Sequence, residues 1–213
     1  MGNLDARTFW EQFNKKICDP NGMAPDSNIP YREIYTNDKP YTNLINKYLV
    51  PKILENNGLS VTNEYYRFDV AGWKQRDIIS TLKDDFKQAG LIWHSWTLEV
   101  AFEHENDPKK WIDEAIKVLY AICPLKVVIC YNDASKREGT GENYIYSDKH
   151  KLELLADVIK HLKDNFKIDV NGQYLIIIGN SNNDGYINKK GEEYFGYKAY
   201  LYDNNKNAFK KIK

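Results

Sequence analysis

LKVVICY, residues 125–131, is a near-continuous apolar run closed by Pro124 on one side and Asn132-Asp133 on the other. A segment this short, without a regular polar alternation, has no face to turn to water and needs cover on both sides, as a central strand does. YLIIIGN, 174–180, makes the same demand. Between the two runs, residues 148–166 place Leu152, Leu155, Ile159, Leu162 and Phe166 on one side of a helix. Buried strands joined through an amphipathic helix predict an α/β fold, with a mixed central sheet flanked by helices on both faces.

The remaining pattern fits that frame. Leu4, Phe9, Trp10, Phe13 and Ile17 predict a helix over 4–17, ended by the turn Asp19-Pro20-Asn21-Gly22. Prolines at 20, 25, 30 and 40 make 19–40 an irregular connection. A helix over 42–56 carries Leu44, Ile45, Tyr48, Leu49, Ile53 and Leu54 in one stripe, with Thr42 as N-cap, Gly58 as stop and Pro51 as a kink or break. LSVTNEYYRFDV, 59–70, reads as one strand ending at Ala71-Gly72, with Asp69 at its far end. A helix over 77–90 follows, then the strand LIWHSWTLEVAFEHE. Asp107 and Pro108 read as N-cap and first residue of a helix over 108–121, whose apolar face is Trp111, Ile112, Ala115, Ile116 and Leu119. Residues 132–147 read as a loop containing Gly139-Thr140-Gly141, and 184–189 and 194–203 as edge strands beyond the turn at 182–185. A frayed Lys-rich end completes a single domain over 1–213: an N-terminal helix and irregular segment to 40, an α/β core over 41–180, and edge strands with a basic tail over 181–213.

The segment that does not fit simple packing is TLEVAFEHEN, 97–106. Strand alternation puts Leu98, Val100, Phe102 and His104 on one side and Glu99, Ala101, Glu103 and Glu105 on the other. Carboxylates about 7 Å apart on a half-buried face repel one another and resist desolvation. Two explanations stand at this point. One is an edge strand whose charged face looks at water. The other is a divalent cation: Mg²⁺ takes oxygen ligands, commonly one or two carboxylates, and Glu103 with Asp69 from the preceding strand supplies them. Asp69 has a simpler alternative role, capping the turn at Ala71-Gly72, and Asp77 is a possible substitute that reads as a helix N-cap.

Asp69 in YYRFDVAGW, Glu103 and Glu105 in VAFEHEN, the amphipathic helix 108–121 and the buried strand LKVVICY together resemble the PD-(D/E)xK nuclease superfamily, the restriction-endonuclease-like fold. The resemblance spans about residues 42–131. It implies Mg²⁺ or Mn²⁺ held by Asp69, Glu103 and the main-chain carbonyl of His104, with Glu105 orienting or deprotonating water, in hydrolysis of DNA phosphodiesters. Two departures stand out. Glu105 occupies the position of the family's lysine, as in a Glu-x-Glu variant of some type II restriction enzymes, and the stretch from Asp69 to Glu103 is long enough to require the helix 77–90 as an insertion. Lys117 on the next helix is a candidate for the missing ammonium, and Glu99 an accessory acid. The absent lysine and a formal net charge of zero favour a second reading, a non-catalytic binding or regulatory module that keeps the fold.

Composition narrows the rest. Thirty basic against thirty acidic residues give no global positive field, so any DNA contact is local. Lys74 and Arg76, Lys109 and Lys110, and Lys136 and Arg137 are the candidate phosphate contacts, and Trp73 and Tyr66 stack on bases or pack at the sheet end. His94 and His104 suggest zinc only weakly, His104 reading as a hydrogen-bonded core histidine. The three cysteines form no CxxC pair, the first thirty residues hold no signal-peptide pattern, and no apolar run is long enough for a bilayer. These features predict a cytoplasmic protein with reduced thiols and no membrane partner. A homodimer is compatible with the sequence.

Overall fold

The computed structural model of the chain describes residues 4–19, 21–25, 28–35, 37–65, 67–75, 96–132, 147–166, 172–180 and 196–213. The predicted helix 77–90, His94, Asp77, Arg76, Tyr66, Lys136, Arg137, the glycine-containing loop and the edge strand 184–189 lie outside these residues.

Among the described residues, LKVVICY and YLIIIGN form the centre of a seven-stranded mixed sheet. Its strands, in spatial as well as chain order, are β1 (Ser60–Tyr65), β2 (Phe68–Gln75), β3 (Trp96–Glu105), β4 (Leu125–Asn132), β5 (Gln173–Asn180), β6 (Tyr197–Asp203) and β7 (Ala208–Ile212). β1, β2 and β3 are antiparallel, β3, β4 and β5 parallel, and β5, β6 and β7 antiparallel again. Every residue of β4 is buried, as two-sided cover requires. Lys126 is among them; its Nζ donates to the Cys123 carbonyl at 3.2 Å. The two parallel crossovers run in the same direction through helices at Trp111–Leu119 and Asp148–Phe166, and both helices pack on one face against Val128, Cys130, Ile176 and Ile178. Crossovers of one handedness and one direction must share a face.

The opposite face is covered by the N-terminal third of the chain. Helix α1 (Ala6–Ile17) starts at Asp5, whose Oδ1 accepts from Thr8 N at 2.7 Å, and buries Phe9, Trp10, Phe13 and Ile17. The segment 19–40 is less irregular than its prolines suggest: α2 (Tyr31–Ile34) and the start of α3 (Asp38–Asn43) lie within it. The long helix therefore begins at Asp38 rather than at Thr42, and Thr42 sits inside it. From Leu44 to Leu49 it widens to a π-helical turn before continuing as α4 (Val50–Asn56). Pro51 explains the break, since it lacks an N–H and its ring excludes the carbonyl four residues earlier. The extra residue shows in the burial pattern: Leu44 and Ile45 are followed by Leu49 and Val50, five residues on instead of four. Against these helices lie His104, Tyr131 and Tyr197, met by Tyr41 of α3, with Tyr131 OH 2.8 Å from His104 Nε2 and the Tyr41 and Tyr197 hydroxyls sharing a hydrogen bond.

Three further expectations are corrected. Residues 59–70 are not one strand but most of a hairpin, β1 and β2, turning through Arg67 at φ +67°. Ala71-Gly72 is mid-strand, so Asp69 caps no turn there. The helix after β3, α5 (Trp111–Leu119), begins three residues late, because the Asp107 carboxylate accepts from Lys109 N at 2.8 Å and holds 107–110 as a turn. The Lys-rich end is an ordered edge strand, β7, whose lysines suit an edge that must not pair further. Helix α6 (Asp148–Phe166) agrees with expectation. Alternation on β3 also holds from Val100 on, but the β2–β3 register shifts at Gly72/Trp73, and Leu98 packs with Ala101 and Cys123.

Gly172, leading into β5, has φ +96°, and a Cβ there would come within 2.5 Å of the Pro124 carbonyl oxygen. Gly172→Ala is expected to cost roughly 1–3 kcal/mol or more, from strained backbone and steric overlap together, and to lower the Tm in thermal unfolding. An unchanged Tm would show that the β4–β5 junction relaxes freely.

A carboxylate pair and a lysine at the β2–β3 rim

Hairpin β1–β2 puts Asp69 at the start of a strand paired with β3. The observed pair Val70↔Phe102, extended by one residue, sets Asp69 opposite Glu103, and cross-strand partners share a face. The spacing problem in the sequence disappears, because the stretch between the two acids is the connection between adjacent strands. Asp69 Oδ2 accepts from the His104 backbone N–H at 2.8 Å. In an extended strand the N–H and C=O of one residue point to the same neighbour, so the His104 carbonyl also faces the β2 side.

Helix α5 supplies the cation. Lys117 Nζ lies 2.8 Å from Glu103 Oε1, pairs with Glu114 one turn earlier on its own helix, and donates to the Arg67 carbonyl at 3.0 Å. An ammonium has three protons; here it donates to the hairpin-turn carbonyl and lies at ion-pair distance from one carboxylate on the strand and one on the helix. Glu114 and the Arg67 carbonyl were not legible as site groups, although the Glu114–Lys117 spacing is that of neighbours on a helix. Asn46, from the π-turn, hydrogen-bonds the Asp69 carboxylate through its side chain.

The other candidates lie elsewhere. Glu105 turns its Oε1 to the Asp107 N–H at 2.8 Å and so closes the turn after β3. Glu99 is four residues back along the strand, roughly 13 Å from Glu103 at about 3.3 Å per residue, and its charge acts on the Cys123 thiol. Lys74, exposed, is at the far end of β2. Lys110 pairs with Asp107, and Trp73 packs edge-on to Tyr65 and donates to Thr62 Oγ1 at 2.7 Å. His104 turns its ring away from the acids into the tyrosine cluster, where burial alone lowers its pKa to about 3 and keeps it neutral. Cys123 and Cys130 are buried free thiols, and burial pushes Cys123 up, away from a reactive thiolate. Among the described residues, no three His, Cys, Asp or Glu side chains are placed together to hold a metal.

Burial dominates the electrostatics. It raises Asp69 above the ordinary carboxylate range, against the pull of the His104 N–H, Lys117 and Asn46. It raises Glu103 to about 8, with the Lys117 hydrogen bond lowering that value and the Asp69 charge adding to it. For Lys117 itself, burial acts to lower the pKa, but the hydrogen bonds and charges of Glu103 and Glu114 outweigh it and raise it. The centre is thus short of positive charge: one ammonium is divided between two glutamates while a third carboxylate stands across from Glu103.

This imbalance has a sign in pH. Folded Glu103 keeps its proton to about 8 and the unfolded chain loses it near 4.5; the stabilisation is complete below the lower value and is lost as pH rises through the upper one. Thermal unfolding without divalent ions is therefore expected to show Tm falling from about pH 5 to about pH 9, with Asp69 contributing in the same direction. Glu103→Gln, neutral throughout, is expected to flatten that slope; an unchanged slope would place the titrating group elsewhere.

No family model matches the chain, and no curated protein matches its sequence.

Proposed function

We propose that this chain is a metal-dependent, nuclease-like protein that hydrolyses phosphodiester bonds in DNA, on a restriction-endonuclease-like core formed by α4, β1, β2, β3, α5 and β4. The observation that carries the reading is the facing pair Asp69 and Glu103 with Lys117 Nζ 2.8 Å from Glu103. The lysine missing from position 105 has a counterpart reaching the same carboxylate from the following helix.

The donor set suits a hard divalent cation. Asp69 and Glu103 offer carboxylate oxygens from adjacent strands, the His104 carbonyl lies on the same side, and Glu103 near 8 marks a buried acid that a single shared ammonium leaves under-compensated. When bound there, Mg²⁺ or Mn²⁺ supplies Lewis acidity toward a phosphodiester and acidifies water. The protein groups do the rest. The His104 N–H orients Asp69, Glu103 and Asp69 hold the reacting phosphate's counter-charge in place, and Lys117 offers its ammonium to negative charge developing on the phosphate. Glu105, bonded within its turn, is left a structural role.

Supercoiled plasmid with Mg²⁺ or Mn²⁺ tests this. Wild type is expected to nick or linearise it, chelation to stop the reaction, and Asp69→Asn, Glu103→Gln and Lys117→Met each to reduce the rate by about 100-fold or more, on the order of 3 kcal/mol of transition-state stabilisation. The contacts of Lys117 with Glu103, Glu114 and the Arg67 carbonyl favour one competing reading, a structural ion-pair network in a non-catalytic module that binds a macromolecule. On that reading wild type leaves DNA intact with either metal, and Lys117→Met lowers Tm without any activity to lose.

A further inference from the structure

A pocket of about 310 Å³ lies among α2, α3, the widened turn and the segment before α2, and none of its lining residues belongs to the carboxylate centre. One wall is a stripe of the long helix. Lys39 and Asn43 are one helical turn apart, and Pro40, Leu44 and Tyr48 repeat at the same step beside them. The other wall is Ala24 and Ile34, both buried. Ala24 is fixed there by a closed turn: its N–H donates to the Ile29 carbonyl at 2.9 Å, its carbonyl accepts from Asn28 N at 2.9 Å, and Tyr31 N closes the base on the Gly22 carbonyl at 3.0 Å.

Five of the seven lining residues are apolar or aromatic, and apolar surface left to water is unfavourable by about 25 cal/mol per Å². A ligand that covers it gains without rearranging the walls. The two polar lining residues are an ammonium and an amide, and among the described residues neither Lys39 nor Asn43 has a hydrogen bond or ion pair. Asp38, the acid next to Lys39, lines a different and smaller cavity with Tyr35, Tyr41, Asn106 and Tyr131. We propose that this pocket binds a small organic acid, an apolar body carrying one carboxylate, with the body between Ala24, Ile34, Leu44 and Tyr48 and the carboxylate between Lys39 and Asn43. Each water in the liquid occupies about 30 Å³, so the space suits a molecule of about ten non-hydrogen atoms. The ammonium and the amide NH₂ give each carboxylate oxygen a donor, and one positive charge meets one negative charge. A phosphate monoester brings a second negative charge that this lining does not meet. The site is separate from the carboxylate centre and does not depend on metal or nuclease chemistry.

Octanoate has the required size and tests the assignment on the full chain, by calorimetry and by NMR of the Ile34 and Leu44 methyl groups, with octanol and octylammonium as probes of the same body and a different head. Octanoate is expected to bind with a Kd of roughly 1 mM or tighter, as ligands of this size do, and to shift both residues' methyl signals. Octanol and octylammonium are expected to bind about five-fold or more weakly than octanoate, since the head group alone differs. Lys39 is exposed, so Lys39→Glu is expected to leave Tm unchanged, to weaken octanoate by about five-fold or more and to favour octylammonium, attraction at the mouth having become repulsion. Ala24→Leu, which fills the space, is expected to weaken all three probes; the Lys39 variant decides the question if this one does not fold. The proposal is overturned if octanoate leaves the Ile34 and Leu44 methyls unmoved at about 10 mM, well above that Kd, if octanol binds as tightly as octanoate, or if Lys39→Glu keeps the wild-type order of the three probes.

Discussion

Two carboxylates, Asp69 half-buried and Glu103 buried, face each other across one rung at the edge of a β-ladder. Everything around them answers the cost of that placement. The His104 N–H and the Asn46 amide solvate Asp69, the Lys117 ammonium sits on Glu103, and Lys117 is itself held by Glu114 and the Arg67 carbonyl. Hydrogen bonds to a charged group and an ion pair in low dielectric are each worth more than their surface equivalents, yet here they leave Glu103 protonated to about 8. A chain selected only to fold would replace such a pair with apolar residues at little loss. Packing alone gains nothing from an incompletely neutralised acid at a strand rim.

The surrounding architecture makes this placement possible. Antiparallel pairing of β2 with β3 brings Asp69 and Glu103 onto one face, and the parallel step from β3 to β4 obliges α5 to return across that face, delivering Lys117. The same alternation sends Val100 and Phe102 into the opposite layer, under α1 and α4. His104 joins the layers through one residue: its backbone serves Asp69, its ring Tyr131.

What could be read from the letters was what local pattern dictates. β4, β5 and α6 were legible because apolar content and helical period leave few alternatives, and the acid-bearing face of β3 because alternation is a property of any strand. The hairpin at Arg67 was not, for it uses a non-glycine residue at positive φ in place of an Asn-Gly or Asp-Gly signal. Asp107-Pro108 imitates a helix start because the same Asp geometry that caps a helix also closes a turn. Glu105 looked like a site residue through its parity on β3, but parity sets the face and not the rotamer at a strand end. Lys117 could be nominated as the missing ammonium only from its place on the following helix; its contact with Glu103 is made by tertiary packing, which no window of sequence contains. The π-turn did leave a trace, in apolar pairs five residues apart, and that trace is Asn46's address.

That five-residue step separates the interests of the fold from those of the site. Lys47 is the exposed residue within the widened turn. A chain lacking it would bring Leu44-Ile45 and Leu49-Val50 to the four-residue spacing of a regular α-helix. The five-residue step thus ties the position of Asn46, whose side chain acts on Asp69, to one exposed residue.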